Sequence, residues 1–330
     1  MRVTVAMATY RGERFLERQL TSIEAQTRRP DALVVSDDGS DDHTVSILRR
    51  FASAAGFPVH VLASDDRLGV SGNYERAIVA CDGDLIVLAD QDDVWLPHKL
   101  ATLERTFEAS PDTGYAFSDA HLIDDHGRRT GQRLWEVAGF DLTQQARMRL
   151  DPFGQVMGRS IVSGCTLAFR SRWRHLLAPF PAETTTAATR VLHDRWASIV
   201  LPVVSDVAVI EDPLIEYRIH TVQQVGIPAL QIRRRVPSSV LRWRSAAIPT
   251  REHSARMRVN VDLLRTVLER VGPDARVQEA ITHLEARAAI NGSRLRRVAP
   301  IARELVTRRY DRYSLGGVSA MADLIRIQSH

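Results

Sequence analysis

Three carboxylates stand within four consecutive positions of this sequence, in the run Asp90-Gln91-Asp92-Asp93. Their negative charges repel one another unless water or a cation lies between them. Mn²⁺ and Mg²⁺ favour oxygen ligands and are commonly held by one or two carboxylates together with the phosphates of a substrate. We therefore expect a Mn²⁺ or Mg²⁺ site that a diphosphate completes. A solvated acidic loop is the simpler interpretation of the run taken alone.

A second acidic run extends from Asp37 to Asp42 and follows an apolar segment. Asp and Ser side chains in such a run often form a turn and cap the next helix. The alternative is that Asp38 contacts a nucleotide, because a carboxylate can accept the N3 hydrogen of uracil or thymine. Cytosine presents an acceptor at that position and would be repelled. In this interpretation Asp38 selects UDP or dTDP.

Two later motifs each carry a side chain suited to acid–base or metal chemistry. Asp194, in His193-Asp194-Arg195-Trp196, is a candidate general base that removes the proton of an attacking hydroxyl. The alternative is an exposed helical acid beside a core tryptophan. His220, in Tyr217-Arg218-Ile219-His220, is either a metal ligand or a histidine satisfied by neighbouring groups.

The segments that must position these residues alternate short β-branched runs with amphipathic stretches over the first 120 residues. This pattern is typical of βαβ units around a mostly parallel sheet. Ligands of open α/β sheets bind at the carboxyl ends of the strands, so the loops after Ala8, Ser36 and Ala89 should share one functional edge. The predicted strands are Val3–Ala8, Ala32–Ser36, Val59–Ala63 and Leu85–Ala89, and the predicted helices are Asp41–Phe51, Gly72–Ala80 and the segment carrying Leu16, Leu20 and Ile23.

The pattern is less regular after Ser118. We expect the globular domain to span residues 1–226, ending near Gly226, and a helical C-terminal region to span residues 227–330. The later predicted elements are a strand at Ile161–Arg170, a helix at Thr189–Val200, one or two strands within Asp206–Arg218, and helices at Ser254–Val271 and Arg276–Ala288.

The composition is that of an ordinary globular protein, with 44% hydrophobic and 25% charged residues in a chain of 330. Cys81 and Cys165 lack the spacing of a metal site, and two thiols do not suggest a disulfide framework. Neither a secretory signal nor a membrane-spanning run is visible. We expect a cytoplasmic protein that is soluble or peripheral on the inner face of the plasma membrane.

Positive charge is concentrated at the C-terminal end. Residues 228–330 contain 20 arginines and nine acidic residues, so the preceding part is net acidic. Arg233–Arg235 and Val240–Arg244 interleave cations with apolar residues, as do segments that lie on anionic membranes. A packed helical appendage or a contact in a homo-oligomer explains them equally well. We expect no nucleic-acid binding, because no recognised module accompanies the charge.

Several motifs occur in a recognisable order. They begin with Ala6-Met7-Ala8-Thr9-Tyr10-Arg11-Gly12 and Val35-Ser36-Asp37-Asp38-Gly39-Ser40, continue through Asn73-Tyr74-Glu75-Arg76-Ala77 and Ala89–Leu100, and end with Ser163-Gly164-Cys165-Thr166, His193–Trp196 and Tyr217–His220. Over about residues 3 to 226 the chain thus resembles the family 2 glycosyltransferases. The run that contains Asp90 and Trp95 resembles the rhamnosyltransferase subgroup, which carries a similar aspartate-glutamine-aspartate-aspartate-x-tryptophan run.

The resemblance implies a GT-A fold with a C-terminal helical extension, and an inverting transfer that needs only one catalytic carboxylate. It implies Asp194 as the catalytic base, Asp92 as the metal ligand, and His220 as a contact of the metal or diphosphate. The residues that it implies for donor binding are Thr9, Tyr10, Asp38, Asn73, Arg76, Asp90 and Gln91.

The same resemblance suggests rhamnose from dTDP-rhamnose as the sugar, and a hydroxyl of a glycan or lipid-linked glycan of the cell surface as the acceptor. UDP-galactofuranose or another UDP-hexose is the alternative donor. A sugar nucleotidyltransferase would need a glycine-rich loop with Arg after the first strand, whereas Thr9-Tyr10-Arg11-Gly12 offers one glycine. A non-catalytic scaffold in polysaccharide assembly is disfavoured because Asp38, Asp92 and Asp194 are intact.

Overall fold

A mixed β-sheet forms the centre of the protein, whose computed structural model describes residues 1–181, 192–220, 250–291 and 293–326. The strands are β1 (Val3–Thr9), β2 (Ala32–Asp37), β3 (Val59–Ala63), β4 (Leu85–Ala89), β5 (Val94–Trp95), β6 (Thr113–Ile123), β7 (Arg129–Arg133), β8 (Leu167–Arg170) and β9 (Asp206–Arg218). Their order is β3-β2-β1-β4-β8-β6-β9-β5, with β7 paired to β6.

The first four strands are parallel, with β1 between β2 and β4. Every residue of β4 is apolar and buried, as expected of a central parallel strand covered on both faces. All four strands were predicted within a residue of their observed ends. Their carboxyl ends lie side by side, which brings the loops after β1, β2 and β4 to one edge of the sheet.

The second half of the sheet is mixed. Strand β8 lies antiparallel between β4 and β6, whereas β6 and β9 run parallel. The register of the β6–β9 pair shifts around Pro213, a residue that cannot donate to a ladder, yet β9 continues as one strand. The prediction of a strand over Ile161–Arg170 was wrong in its first half, because Gly164–Thr166 form a 3₁₀ turn and only the last four residues pair.

Helices cover both faces of the sheet. They are α1 (Leu16–Glu24), α2 (Thr44–Ala54), α3 (Gly69–Ala80), α4 (Lys99–Ala109), α5 (Leu134–Ala138), α6 (Leu142–Leu150), α7 (Pro152–Gly158), α8 (Arg174–Leu177) and α9 (His193–Val204). Helix α1 buries Leu16, Leu20 and Ile23 on one face, as their spacing predicted. The first residues of the helix predicted over Thr189–Val200 lie outside the described residues.

The described C-terminal residues form five helices that pack on this domain. They are α10 (Thr250–Val271), α11 (Ala275–Ala288), α12 (Arg294–Val306), α13 (Arg309–Tyr313) and α14 (Gly317–Ile325). Helix α10 contacts α9 and α11, and α13 contacts α7. Leu264, Val267 and Tyr313 are buried in the same hydrophobic core as the sheet. Helix α11 is capped by Asp274, whose carboxylate accepts hydrogen bonds from the Arg276 and Val277 amides.

Three sequence predictions lie outside the described residues. These are the domain boundary near Gly226, the cationic run Arg233–Arg235 and the mixed run Val240–Arg244. Among the helices of the described residues, none combines the length and the apolar composition that crossing a bilayer requires.

Candidate functional site

Asp90 lies at the carboxyl end of β4 and receives a hydrogen bond from the hydroxyl of buried Tyr74. The same hydroxyl contacts the Ala89 carbonyl at 2.8 Å. Burial, followed by the negative charge of Asp92, raises the pKa of Asp90 to about 7. The carboxylate therefore ionises at neutral pH against the electrostatics of its own surroundings.

Asp93 is buried beside Asp90. Its Oδ1 accepts a hydrogen bond of 3.0 Å from the Arg218 amide. Burial and the charges of Asp92 and Asp90 raise the pKa of Asp93 well above its usual range, although the Arg218 amide and the Cys165 thiol counteract this rise. The family resemblance implies Asp92 as the metal ligand and gives Asp93 no role, whereas the carboxylate of Asp93 faces the same cluster as Asp90.

Asp92 and His220 meet as a pair. The Nε2 atom of His220 lies 2.8 Å from Oδ2 of Asp92. The imidazole also packs against the Phe15 ring, with centroids 4.9 Å apart. Arg218, two residues earlier on β9, donates from Nε to the Asp92 carbonyl at 2.7 Å and fixes the loop from below. The two predicted metal-site residues are thus in direct contact.

The ligand atoms of Asp90, Asp93 and Cys165 all lie within 4.8 Å of one another. Two carboxylates at this spacing suit Mn²⁺ or Mg²⁺, which prefer oxygen ligands. Burial, with the nearby Asp93 and Asp90 charges, raises the pKa of the Cys165 thiol well above its usual range. A protonated thiol is a poor ligand for a hard cation, so the donor set that fits is the aspartate cluster, open to further oxygen ligands from a diphosphate.

Lys99 is a residue of this site that sequence reasoning did not assign. Its ammonium donates to the Cys165 carbonyl at 2.7 Å and lies 4.0 Å from the centre of the Trp95 ring. Burial lowers the pKa of Lys99 to about 8, although the charges of Asp93 and Asp90 oppose this shift. It is the single lysine of the sequence, and that rarity was the available signal.

Gln91 connects the β4 loop to the β1 loop. Its amide oxygen accepts from the Tyr10 amide at 2.9 Å, and its amide nitrogen donates to the Tyr10 carbonyl at 3.0 Å. A Cβ at Gly12 would lie 2.4 Å from the same amide oxygen, so a larger residue at position 12 would displace the Gln91 amide from these bonds. Gln91 thus sets the position of the Tyr10 backbone.

Thr9, the last residue of β1, bonds the end of the neighbouring strand β2. Its hydroxyl is buried and donates to Asp37 at 2.7 Å, and Asp37 in turn accepts from the Ser40 hydroxyl and amide. The Thr9 side chain therefore holds the start of the β2 loop.

Asp38 caps the N-terminus of α3. Its carboxylate accepts from the Leu68 amide at 2.5 Å, from the Gly69 amide at 3.2 Å and from Nε of Arg67 at 3.1 Å. The guanidinium of Arg67 also lies over the Tyr10 ring, 3.6 Å from its centre. The turn-and-cap interpretation of the acidic run fits Asp42, which accepts from the Thr44 amide at the start of α2 at 2.9 Å. Asp38 instead caps α3, a helix further along the chain.

Asn73 and Arg76 tie α3 to the strand ends. Asn73 donates to the Thr9 carbonyl at 3.0 Å. Arg76 donates to the Ser36 hydroxyl at 2.7 Å and to the Leu62 carbonyl at 2.9 Å. Both side chains therefore hydrogen-bond within the protein and hold α3 against the carboxyl ends of the strands.

Asp194 lies on a helix, as the sequence predicted; it is half-buried and stands in the first turn of α9. Its negative charge contributes to raising the pKa of Asp90, so the two carboxylates face the same region. The preceding His193 stacks on the Tyr74 ring, with centroids 3.8 Å apart. Because the Tyr74 hydroxyl bonds Asp90, this stack links the start of α9 to the β4 loop.

Comparison with known proteins finds similarities to glycosyltransferases over parts of the chain. Residues 4–165 match the family described as Glycosyl transferase family 2. An uncharacterised glycosyltransferase of Nostoc sp. is 29% identical over 114 residues, covering 34% of this chain and 35% of that protein. The dTDP-rhamnosyl transferase RfbG of Shigella flexneri is 37% identical over 98 residues, covering 28% of this chain and 34% of that protein. The chain thus matches about a third of the length of these relatives.

The structure also resembles a crystal structure of S. aureus TarS 1-349 in complex with UDP-GlcNAc. The TM-score is 0.55 at 15% sequence identity, over 98% of this chain and 90% of that one. At this identity the likeness shows the fold. Residues 4–165 of this chain are thus similar to glycosyl transferase family 2, and the fold is an α/β fold of the GT-A type.

Proposed function

We propose that this protein is a metal-dependent, inverting glycosyltransferase that moves a sugar from a nucleotide-diphosphate donor to an acceptor hydroxyl. The observation that carries the proposal is the aspartate cluster at the end of β4, where burial and mutual repulsion raise the pKa of both Asp90 and Asp93. Carboxylates arranged in this way are characteristic of sites that a cation completes.

The roles of the charged residues follow from their positions. Asp90, Asp92 and Asp93 would hold the cation, and His220 would contact the cation or the diphosphate. A bound Mn²⁺ or Mg²⁺ would stabilise the negative charge of the departing diphosphate as a Lewis acid. Asp194, on the facing helix, would take the proton of the acceptor hydroxyl as its oxygen attacks the anomeric carbon.

The donor would lie along the loops after β1 and β2. The Tyr10 ring offers an aromatic surface for the base, and Arg67 now covers it at 3.6 Å. We propose that uracil or thymine replaces the half-exposed Arg67 side chain at Asp38, while the Leu68 and Gly69 amides keep their bonds to that carboxylate. Thr9, Asn73, Arg76 and Gln91 would then serve the donor by fixing the loop backbones.

For the sugar we propose rhamnose from dTDP-rhamnose, with a glycan or lipid-linked glycan as acceptor. The support is the match to the Shigella flexneri dTDP-rhamnosyl transferase over 98 residues at 37% identity. A UDP-hexose, including UDP-galactofuranose, is the alternative donor, because a carboxylate at Asp38 accepts the N3 hydrogen of uracil as readily as that of thymine.

The test is a donor panel. Purified protein would be incubated with dTDP-rhamnose, UDP-glucose, UDP-GlcNAc and UDP-galactofuranose, each with Mn²⁺ or with EDTA, and the released nucleotide diphosphate measured by mass spectrometry. We expect release from one donor class with Mn²⁺ and its loss with EDTA. Calorimetric binding of dTDP and UDP would accompany it. Absence of binding and of release for every donor with Mn²⁺ present would contradict the proposal.

A further inference from the structure

Helix α12 is held to the protein by a polar face. Arg297 is buried and donates to the carbonyls of Asp323 and Arg326, at 3.2 and 2.7 Å. Glu304 is buried and lies 2.8 Å from Nδ1 of His283. Ile301 is the buried apolar residue between them, in a small cluster with Tyr310. The inward face of this helix is therefore mainly ionic.

The outward face of α12 is apolar. Leu295 and Val306 are 86% and 84% exposed, and Val298 and Leu305 are 50% and 41% exposed. These positions, with the exposed alanines between them, recur every three or four residues and so form one stripe along the helix. An ordinary surface helix has the opposite arrangement, and a contiguous apolar stripe in water marks an interaction surface.

Exposed cations flank the stripe. Arg296 and Arg303 lie on α12, and Arg308 follows its end; all three are exposed. From Ser293 to Arg308 the single acidic residue is Glu304, which points inward. The outer surface of α12 therefore combines apolar side chains with positive charge, and the helix itself brings no acidic side chain to that surface.

We propose that α12 docks this protein on an anionic lipid bilayer, with its apolar stripe in the interface and its arginines on the lipid phosphates. Amphipathic helices with this combination lie in the plane of anionic membranes. A second copy of the chain fits less well, because two such faces would bring like charges together. The inference goes beyond the transfer reaction and is independent of it. It is distinct from the cationic runs Arg233–Arg235 and Val240–Arg244, which lie outside the described residues.

The test is flotation of the full-length protein with vesicles. One set would contain phosphatidylcholine with phosphatidylglycerol, and the other phosphatidylcholine alone. We expect flotation with the anionic vesicles at low salt and weaker flotation at high salt. The double variant Leu295→Glu/Val306→Glu should bind anionic vesicles at least about tenfold less, since it removes two apolar side chains and adds negative charge.

The matched control is Leu150→Glu, at a leucine of α6 that is also 86% exposed. It should float like the wild type, and circular-dichroism melting should show that both variants are folded. Failure of the wild type to float, or equal flotation of the double variant, would overturn the proposal. So would a dimer, seen by light scattering, that the double variant dissociates while lipid binding is unchanged.

Discussion

Two parts of this molecule bury carboxylates, and they treat them in opposite ways. At the end of β4, Asp90 and Asp93 face each other and Asp92, and burial together with these charges raises their pKa. In the C-terminal helices, Asp323 accepts from Arg287 at 2.7 Å and from Arg326 at 3.0 Å. Burial would raise the pKa of Asp323, but Arg287 and other partners hold it below its usual range.

This difference in pKa shift distinguishes the candidate metal site of the β4 loop from the structural ion-pair network around Asp323. Asp323 also accepts from the Tyr310 hydroxyl at 2.8 Å, so each of its neighbours favours the ionised form. Asp90 and Asp93 are compensated less directly within the described part of the chain: the charge of Lys99 lowers the pKa of Asp90, but its ammonium donates to the Cys165 carbonyl and not to a carboxylate. Burial and mutual repulsion make the ionised forms of Asp90 and Asp93 unfavourable in the protein alone. Such a cluster of carboxylates is typical of a site at which a ligand supplies the compensating positive charge.

The largest effect is expected at Asp194. Asp194→Asn should reduce transfer by about 100- to 10,000-fold, because the amide cannot take the acceptor proton. Donor binding and melting temperature should remain near wild type, since the half-buried carboxylate accepts a hydrogen bond of 2.6 Å from the adjacent Arg195 amide, which an asparagine oxygen can also accept. Single-turnover kinetics and nucleotide titration would measure both. Near-normal transfer by the Asp194→Asn variant would show that Asp194 is not the catalytic base.

Asp323→Asn should have the largest effect on stability. It leaves Arg287 and Arg326 buried without a carboxylate, and breaking such a network costs about 3–5 kcal/mol of unfolding free energy. Urea denaturation would measure it. The control is Asp262→Asn, whose side chain is 72% exposed and pairs with Arg265 at 3.4 Å; it should change stability by less than about 1 kcal/mol. Equal effects of the two variants would contradict the distinction between structural and surface pairs.

The sequence was sufficient for the parallel half of the fold. Strands such as β4 are uniformly apolar and end at polar loops, so both the strand and its functional edge can be predicted. Strand β6 was missed because it carries polar residues that long-range contacts satisfy. Buried Asp119, for example, accepts from the Trp135 amide at 3.0 Å. Aspartate is rare in strands, so a propensity scale assigns such a residue to a loop. Its hydrogen-bond partner lies 16 residues away, where no local pattern reveals it.

The site was predictable in its residue types and less so in its pairings. The contact of Asp92 with His220 joins residues 128 positions apart, and the capping of α3 by Asp38 depends on a packing that no local pattern specifies. The involvement of Asp93 was missed for a similar reason. Which carboxylate of a run turns toward its neighbours depends on the loop backbone, here fixed by Arg218 from β9.

Replacing Asp90 should stabilise the protein when no metal is bound. Because its folded-state pKa of about 7 lies above the ordinary value, its ionisation lowers stability as pH rises toward 7, and the loss persists above that pH. With allowance for partial exposure, Asp90→Asn should raise the unfolding free energy by about 2 kcal/mol at pH 8 in EDTA.

The same variant should lose the rise in melting temperature that Mn²⁺ gives the wild type, since a ligand stabilises the state that binds it. The control is Asp82→Asn, at a largely exposed carboxylate that pairs with Arg2 at 2.8 Å near the opposite edge of the sheet. A variant that is less stable than wild type in EDTA at pH 8 would show that Asp90 is structurally compensated after all.

The smallest expected effect is a pH dependence of the C-terminal network. Burial lowers the pKa of His283 to about 4, although Glu304 opposes the shift. The unfolded chain takes up a proton near the ordinary pKa of about 6.5. Stability contributed by neutral His283 is therefore present above that pH and is lost as pH falls toward 4.

Between pH 7 and pH 5 this single histidine should lower the unfolding free energy by about 1 to 2 kcal/mol. His283→Asn should flatten that part of the pH profile, whatever its effect on stability at pH 7. The comparison is with His126→Asn, at an exposed histidine near Asp125, which should leave the profile unchanged. If the unfolding free energy of the His283 variant fell with pH as steeply as that of the wild type, buried His283 would not be the source of the pH dependence. Its pKa would then differ little from that of a histidine in water.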